Sequence, residues 1–144
     1  ALPLTENLIP APSSFYGLTK WMTEKYLALY HKIYELSYTV LRYSNVYGPR
    51  QGADGEGGVI YIFAKSLAEN KPITIFGDGR QTRDFISVHD VISANLAALH
   101  QADGEIINIS TETELSVKDF AGTLPKTSPL RFPTHRRHLS LLPL

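Results

Sequence analysis

The stretch SSFYGLTKWMTEKY, residues 13–26, sets a tyrosine and a lysine four positions apart. On a helix, positions i and i+4 share a face, so Tyr16 and Lys20 project together. The pairing has a chemical use. A free phenol titrates near ~10, too high to serve as a base at neutral pH. Lowering that value to about 7 takes roughly 4 kcal/mol of extra phenolate stabilisation, at ~1.36 kcal/mol per unit. An ammonium held close by supplies part of it, and supplies more where water is partly excluded. The competing reading is a core tyrosine beside a solvated lysine.

Two later stretches carry further candidates. In LRYSNVYGPRQG (41–52) a strand runs into a turn through Asn45, Gly48 and Pro49. Ligands of open α/β sheets collect at the carboxyl ends of strands. Asn45 offers both donors and an acceptor there. Arg50 reads either as a phosphate ligand or as a solvated side chain. In IFGDGRQTRDFISVHD (75–90), Phe76 presents a ring face and Arg83 a guanidinium fork suited to a diphosphate. The plainer alternative is a two-strand connection with a surface arginine. Asp90 reads as an acid complementing a helix N-terminus, and His89 as a structural or solvated histidine. No metal site emerges: His135 and His138 sit in HRRH without nearby carboxylates.

The elements that must position these residues alternate. Residues 1–12 hold three prolines and read as extended loop, and Ser13 or Ser14 is a natural N-cap. A helix is expected from there to about Tyr34. Its apolar positions, from Phe15 to Ile33, exceed one stripe, which predicts burial on two sides by a sheet and a partner helix. YTVLRY (38–43) reads as a buried strand, 44–58 as a long loop, 58–70 as a helix and PITIF (72–76) as a strand. GDG (77–79) is turn chemistry. RDFISV (83–88) reads as a short strand, 89–102 as an amphipathic helix and EIINIS (105–110) as a strand. A helix is expected to follow, with Ser116 as N-cap and Asp119 three residues on. This alternation predicts one α/β domain with parallel pairing. No glycine-rich strand–turn–helix fingerprint occurs anywhere in the sequence.

Composition narrows the classes. The 144 residues are 43% hydrophobic and 19% charged, the mix of a globular domain. The formal net charge is zero, which gives no electrostatic case for nucleic acid or a membrane surface. No apolar run approaches the ~20 residues of a membrane span. ALPLTENLIPAP lacks the basic and apolar regions of a signal peptide. The absence of cysteine removes disulfides, thiolate metal sites and cysteine nucleophiles, and fits a reducing compartment. Together these lead to the expectation of a cytoplasmic protein. Charge is uneven: residues 1–119 hold 10 basic and 14 acidic residues, whereas residues 120–144 hold 4 basic and no acidic ones. The latter segment carries four prolines and no period, so it is expected to be an irregular, basic tail, with a non-native C-terminus as one explanation.

Taken in order, PSSFYGLTKWMTEKY, VLRYSNVYGPRQG and ITIFGDGRQTRDFISVHDV resemble the extended short-chain dehydrogenase/reductase family. Within it they are most similar to nucleotide-sugar epimerases of the UDP-glucose 4-epimerase type, over roughly residues 1–119. The resemblance implies a partial Rossmann-like parallel sheet with helices, plus the smaller substrate-binding region of an extended short-chain dehydrogenase. It implies NAD as cofactor and a UDP-sugar as substrate. It assigns Tyr16 as the acid/base for the sugar 4-hydroxyl, and Lys20 as the group that tunes it and binds the nicotinamide ribose. Ser44 falls beside the nicotinamide. Asn45 falls at the diphosphate, and Val59, Phe76 and Arg83 at positions lining the uridine and diphosphate pocket. It also implies a homodimer formed through the 14–34 helix. The family's first half is absent from these residues, so a C-terminal-half fragment, inactive alone, is expected. A dehydratase or reductase of the same family and a non-catalytic nucleotide-sugar-binding module are the alternatives.

Overall fold

In the computed structural model, residues 4–52, 58–124 and 130–131 are described. They divide into two compact units. The first comprises residues 4–42 and 92–109; the second comprises 43–52, 58–91, 110–124 and 130–131.

The first unit is dominated by helix α1, Phe15–Tyr34. Ser14 caps it, its side chain accepting a hydrogen bond from Gly17 N at 3.0 Å. Glu35 ends it in the left-handed region (φ 55°), with its N–H donating to His31 O. Strand β1 (Val40–Tyr43) pairs with a second strand, Ile106–Ile109. The turn before that second strand is pinned by Asp103, whose carboxylate accepts from Ser37 Oγ (2.9 Å) and Tyr38 N (2.8 Å).

One expectation fails here. No residue of α1 is buried, and Phe15, Tyr26, Ile33 and Tyr34 are all more than half exposed. The reason is size: twenty helical residues span ~30 Å, while a pair of four-residue strands spans about 13 Å. Strand β1 is likewise only partly buried. What fastens α1 to β1 is polar. Arg42 on β1 grips Glu24 on α1 through two bonds, Nε–Oε1 and Nη2–Oε2, each 2.8 Å.

The second unit holds the core of Phe63, Ile73, Ile75, Val117 and Ala121. Strand β2 (Asn45–Tyr47) emerges inside the stretch expected to be loop. Helix α2 follows at Val59–Ala68, then strand β3 at Ile73–Thr74. RDFISV is two strands, not one: β4 (Thr82–Arg83) and β5 (Phe85–Ser87), broken at Asp84. Strand β2 lies parallel to β5, with Asn45 opposite Phe85 and Tyr47 opposite Ser87. Helix α3 (Val88–Ala98) starts in this unit and ends in the first, shorter than the expected 89–102. The strand pairing with β1 is therefore β6 in chain order. Strand β7 (Leu115–Ser116) runs antiparallel to β4. Helix α4 (Val117–Thr123) is capped by Ser116, which accepts from Asp119 N as expected. Its run to Thr123 carries regular structure past residue 120. A two-residue strand, β8 (Leu130–Arg131), lies parallel to β3. The rest of the expected tail lies outside the described residues.

Gly48 closes β2 against the start of α3. A Cβ there would sit 2.9 Å from Val88 Cβ and closer still to its Cγ1, so only glycine permits this approach.

Candidate functional site

Tyr16 and Lys20 fall on the first two turns of α1, as the spacing requires. Lys20 Nζ lies over the Tyr16 ring, 5.3 Å from its centroid. Both side chains are exposed, Tyr16 at 69%. No carboxylate among the described residues pairs with Lys20. The next turn of the same stripe carries Glu24, and there the helix is tied to β1. The Glu24 carboxylate raises Arg42 above the ordinary arginine value, outweighing partial burial. Arg42 also donates to Glu6 O at 3.3 Å. Glu6, the acid nearest to Tyr16 on its N-terminal side, is a structural group: its Oε1 accepts from Asn108 N at 2.8 Å. That bond holds its carboxyl below the ordinary glutamate value.

The remaining expected site residues belong to the second unit. Ser44 and Asn45 mark the exit from β1 into β2, and both converge on Asp84. Ser44 Oγ donates to Asp84 Oδ1 at 3.0 Å. Asn45 N and Nδ2 both donate to the main-chain oxygen of Asp84, at 3.0 and 3.1 Å. Arg83 is half-buried on β4, with Nη1 donating to Thr82 O at 2.7 Å. Val59 opens α2 and packs against the Phe63 core. Phe76 is 59% exposed, directly after the buried Ile75. Val59 and Phe76 take no part in the hydrogen bonds around Asp84. Arg50 is an exposed turn residue at φ 68°. Asp90 lies in the first turn of α3.

Asp84 is the residue that sequence reasoning missed. Its carboxylate also accepts from Thr111 N (3.1 Å to each oxygen), Thr111 Oγ1 (3.1 Å) and Thr113 N (3.2 Å). Burial alone would raise its pKa; the bonds from Thr111, Ser44 and Thr113 outweigh that and hold it below the ordinary aspartate value. One signal was available: an acid in the middle of a β-rich run goes against strand propensity.

Comparison with known proteins fixes the family. The profile of the NAD dependent epimerase/dehydratase family matches residues 2–110. The chain belongs to that family. This epimerase/dehydratase chain is 51% identical over 118 residues to a putative UDP-glucose 4-epimerase of Methanocaldococcus jannaschii, covering 82% of this chain and 38% of that protein. It is 41% identical to the UDP-glucose 4-epimerase of Thermotoga maritima solved with UDP-glucose, with a TM-score of 0.78, covering 90% of this chain and 43% of that one. It is also 34% identical over 123 residues to a dTDP-4-dehydro-6-deoxyglucose reductase of Escherichia coli, covering 85% of this chain and 39% of the reductase. The α/β architecture with parallel strand pairs is thus the extended short-chain dehydrogenase/reductase fold. The chain spans about two-fifths of the length of these relatives.

The family implies NAD. The exposed hydroxyl and ammonium on one turn of α1 are donors of the kind a nicotinamide ribose takes, so this part of the chain fits the cofactor. The glycine-rich turn that would hold a dinucleotide diphosphate is not in the sequence. Among the described residues, no group of three His, Cys, Asp or Glu side chains could hold a metal, and no helix is long and apolar enough to cross a membrane.

Proposed function

We propose that this chain supplies the substrate-side part of an NAD-dependent enzyme that epimerises C4 of a UDP-hexose, interconverting UDP-glucose and UDP-galactose. The observation that carries the proposal is the Lys20 ammonium set over the exposed ring of Tyr16. Tyr16 exchanges a proton with the sugar 4-hydroxyl, and Lys20 keeps positive charge beside that phenol while donating to the nicotinamide ribose. NAD, when bound, supplies hydride acceptance and return at C4. The family resemblance assigns Ser44 to the nicotinamide, Asn45 to the diphosphate, and Val59, Phe76 and Arg83 to the uridine and diphosphate. Asn45 spends one Nδ2 hydrogen on Asp84, which leaves the other and its Oδ1 for ligand. The exposed apolar residues of α1 support pairing of two copies through the 14–34 helix.

The test is a graft. Residues 2–119 replace the matched segment of the Methanocaldococcus jannaschii relative, and conversion of UDP-galactose to UDP-glucose is followed with NAD. Turnover that Tyr16→Phe abolishes is expected. Undiminished turnover with Tyr16→Phe overturns the assignment. The chain alone is expected to give no useful turnover in the same assay. The reductase relative favours a second reading, reduction of a 4-keto sugar, and product analysis of the graft across several nucleotide sugars distinguishes the two.

A further inference from the structure

We propose that Asp84 is a positioning residue, a charged bracket that sets the orientation of Asn45 for its ligand. The inference rests in part on the reading of Asn45 as a diphosphate contact.

The first argument is saturation. A carboxylate offers about four lone-pair sites. Ser44 Oγ, Thr111 N, Thr111 Oγ1 and Thr113 N fill them. No acceptor capacity is left over for a substrate, so Asp84 acts through what it holds.

The second argument is the shape of what it holds. Glu112 adopts φ 56°, the left-handed region, between Thr111 and Thr113. Main-chain N–H groups on either side of such a residue converge into an anion-binding concavity. Here the anion is the chain's own Asp84 carboxylate. A non-glycine residue in that region is strained, and the charged bonds at Thr111 and Thr113 offset the strain. The negative charge is therefore required, not only the shape of the side chain.

The third argument is direction. Asp84 interrupts the strand between β4 and β5, so its side chain and main chain serve different segments. The carboxylate fixes the 111–113 turn and Ser44, while the main-chain oxygen fixes both nitrogens of Asn45. Loss of the carboxylate bonds frees the backbone at Asp84, and the Asn45 amide loses its fixed partner. Asp84→Asn keeps the volume but turns an amide donor toward donors.

The experiment compares the chain with its Asp84→Asn, Asp84→Glu, Asn45→Ala and Ser44→Ala variants. UDP-glucose affinity is measured by calorimetry, and the Asn45 side-chain amide is followed by NMR. The expected result is a loss of about tenfold in affinity, one hydrogen bond's worth, for both Asp84→Asn and Asn45→Ala. The double variant is expected to be no weaker than either single one, and Asp84→Glu to recover part of the loss. The Asn45 Nδ2 resonances should collapse toward solvent-exposed values in Asp84→Asn, while the Tyr47 amide, which the parallel register turns toward β5, stays protected. Wild-type affinity in Asp84→Asn, with Asn45→Ala impaired, overturns the bracket and leaves the Asn45 reading intact. No effect of Asn45→Ala overturns the ligand reading. In that case the NMR arm decides the bracket: unchanged Asn45 side-chain signals in Asp84→Asn sink it.

Discussion

Helix α1 bears Tyr16 and Lys20 yet has no buried residue, so the Arg42–Glu24 clamp should govern its attachment to β1. Removal of Glu24 tests this. The pair makes two bonds of 2.8 Å, and the side chains are 24% and 13% exposed. Breaking a fully buried pair costs about 3–5 kcal/mol, whereas an exposed pair contributes at most about 1. The partial exposure here places Glu24→Ala near 2 kcal/mol, roughly midway between those limits. With a urea m-value of about 2 kcal/mol/M, the midpoint moves down by about 1 M. The assay is urea unfolding followed by the fluorescence of Trp21, the chain's one tryptophan, three residues before Glu24. Replacing both partners together, Glu24→Leu with Arg42→Met, should restore most of the loss, because the stranded guanidinium is then gone. A midpoint shift under about 0.2 M for Glu24→Ala refutes the clamp. Failure of the double replacement to recover shows that side-chain packing, not charge pairing, sets the attachment.

Other outcomes follow from the same structure. In the grafted enzyme, Tyr16→Phe should lower kcat by about 10²–10⁴-fold with little change in KM, read from initial rates against UDP-galactose concentration. Gly48→Ala should destabilise the second unit by about 1–3 kcal/mol, because the new methyl meets Val88, as measured by urea unfolding. Asp84 has a depressed folded-state pKa, so its contribution is fully present above the unfolded aspartate value and is lost as pH falls through the folded one. The stability gap between wild type and Asp84→Asn should therefore shrink on acidification. A gap that stays constant to the acid limit would contradict the carboxylate's charged role.

What was legible in the sequence is what rests on local periodicity and capping. The span of α1, its Ser14 cap, the Ser116–Asp119 cap of α4 and the GDG turn all depend on neighbours within four residues. Strand β2 was not legible, because three residues after a strand exit carry no period and acquire their pairing only from β5, forty residues on. Asp84 was hidden for the same reason: its partners come from residues 44 and 111–113, and no local pattern links them. The burial of α1 was misjudged because periodicity reports which face of a helix is apolar, not what is present to cover it.

The exposure of α1 also governs how Tyr16 and Lys20 are presented. An isolated helix of about twenty residues is marginal in water, and tertiary packing normally stabilises it. In α1 only the stripe of Gly17, Trp21, Glu24 and Leu27 is half-buried, and caps at both ends and a charge clamp at Glu24 add to that packing. Ser14 fixes the first turn just before Tyr16, and Arg42 fixes the third turn just after Lys20. The exposed turn between them is thus held at both sides by hydrogen bonds. Such fastening is directional where apolar contact is not. It sets the rotation of the helix, and with it the direction in which Tyr16 and Lys20 point. The apolar side of α1 is left open to another surface without disturbing the pair.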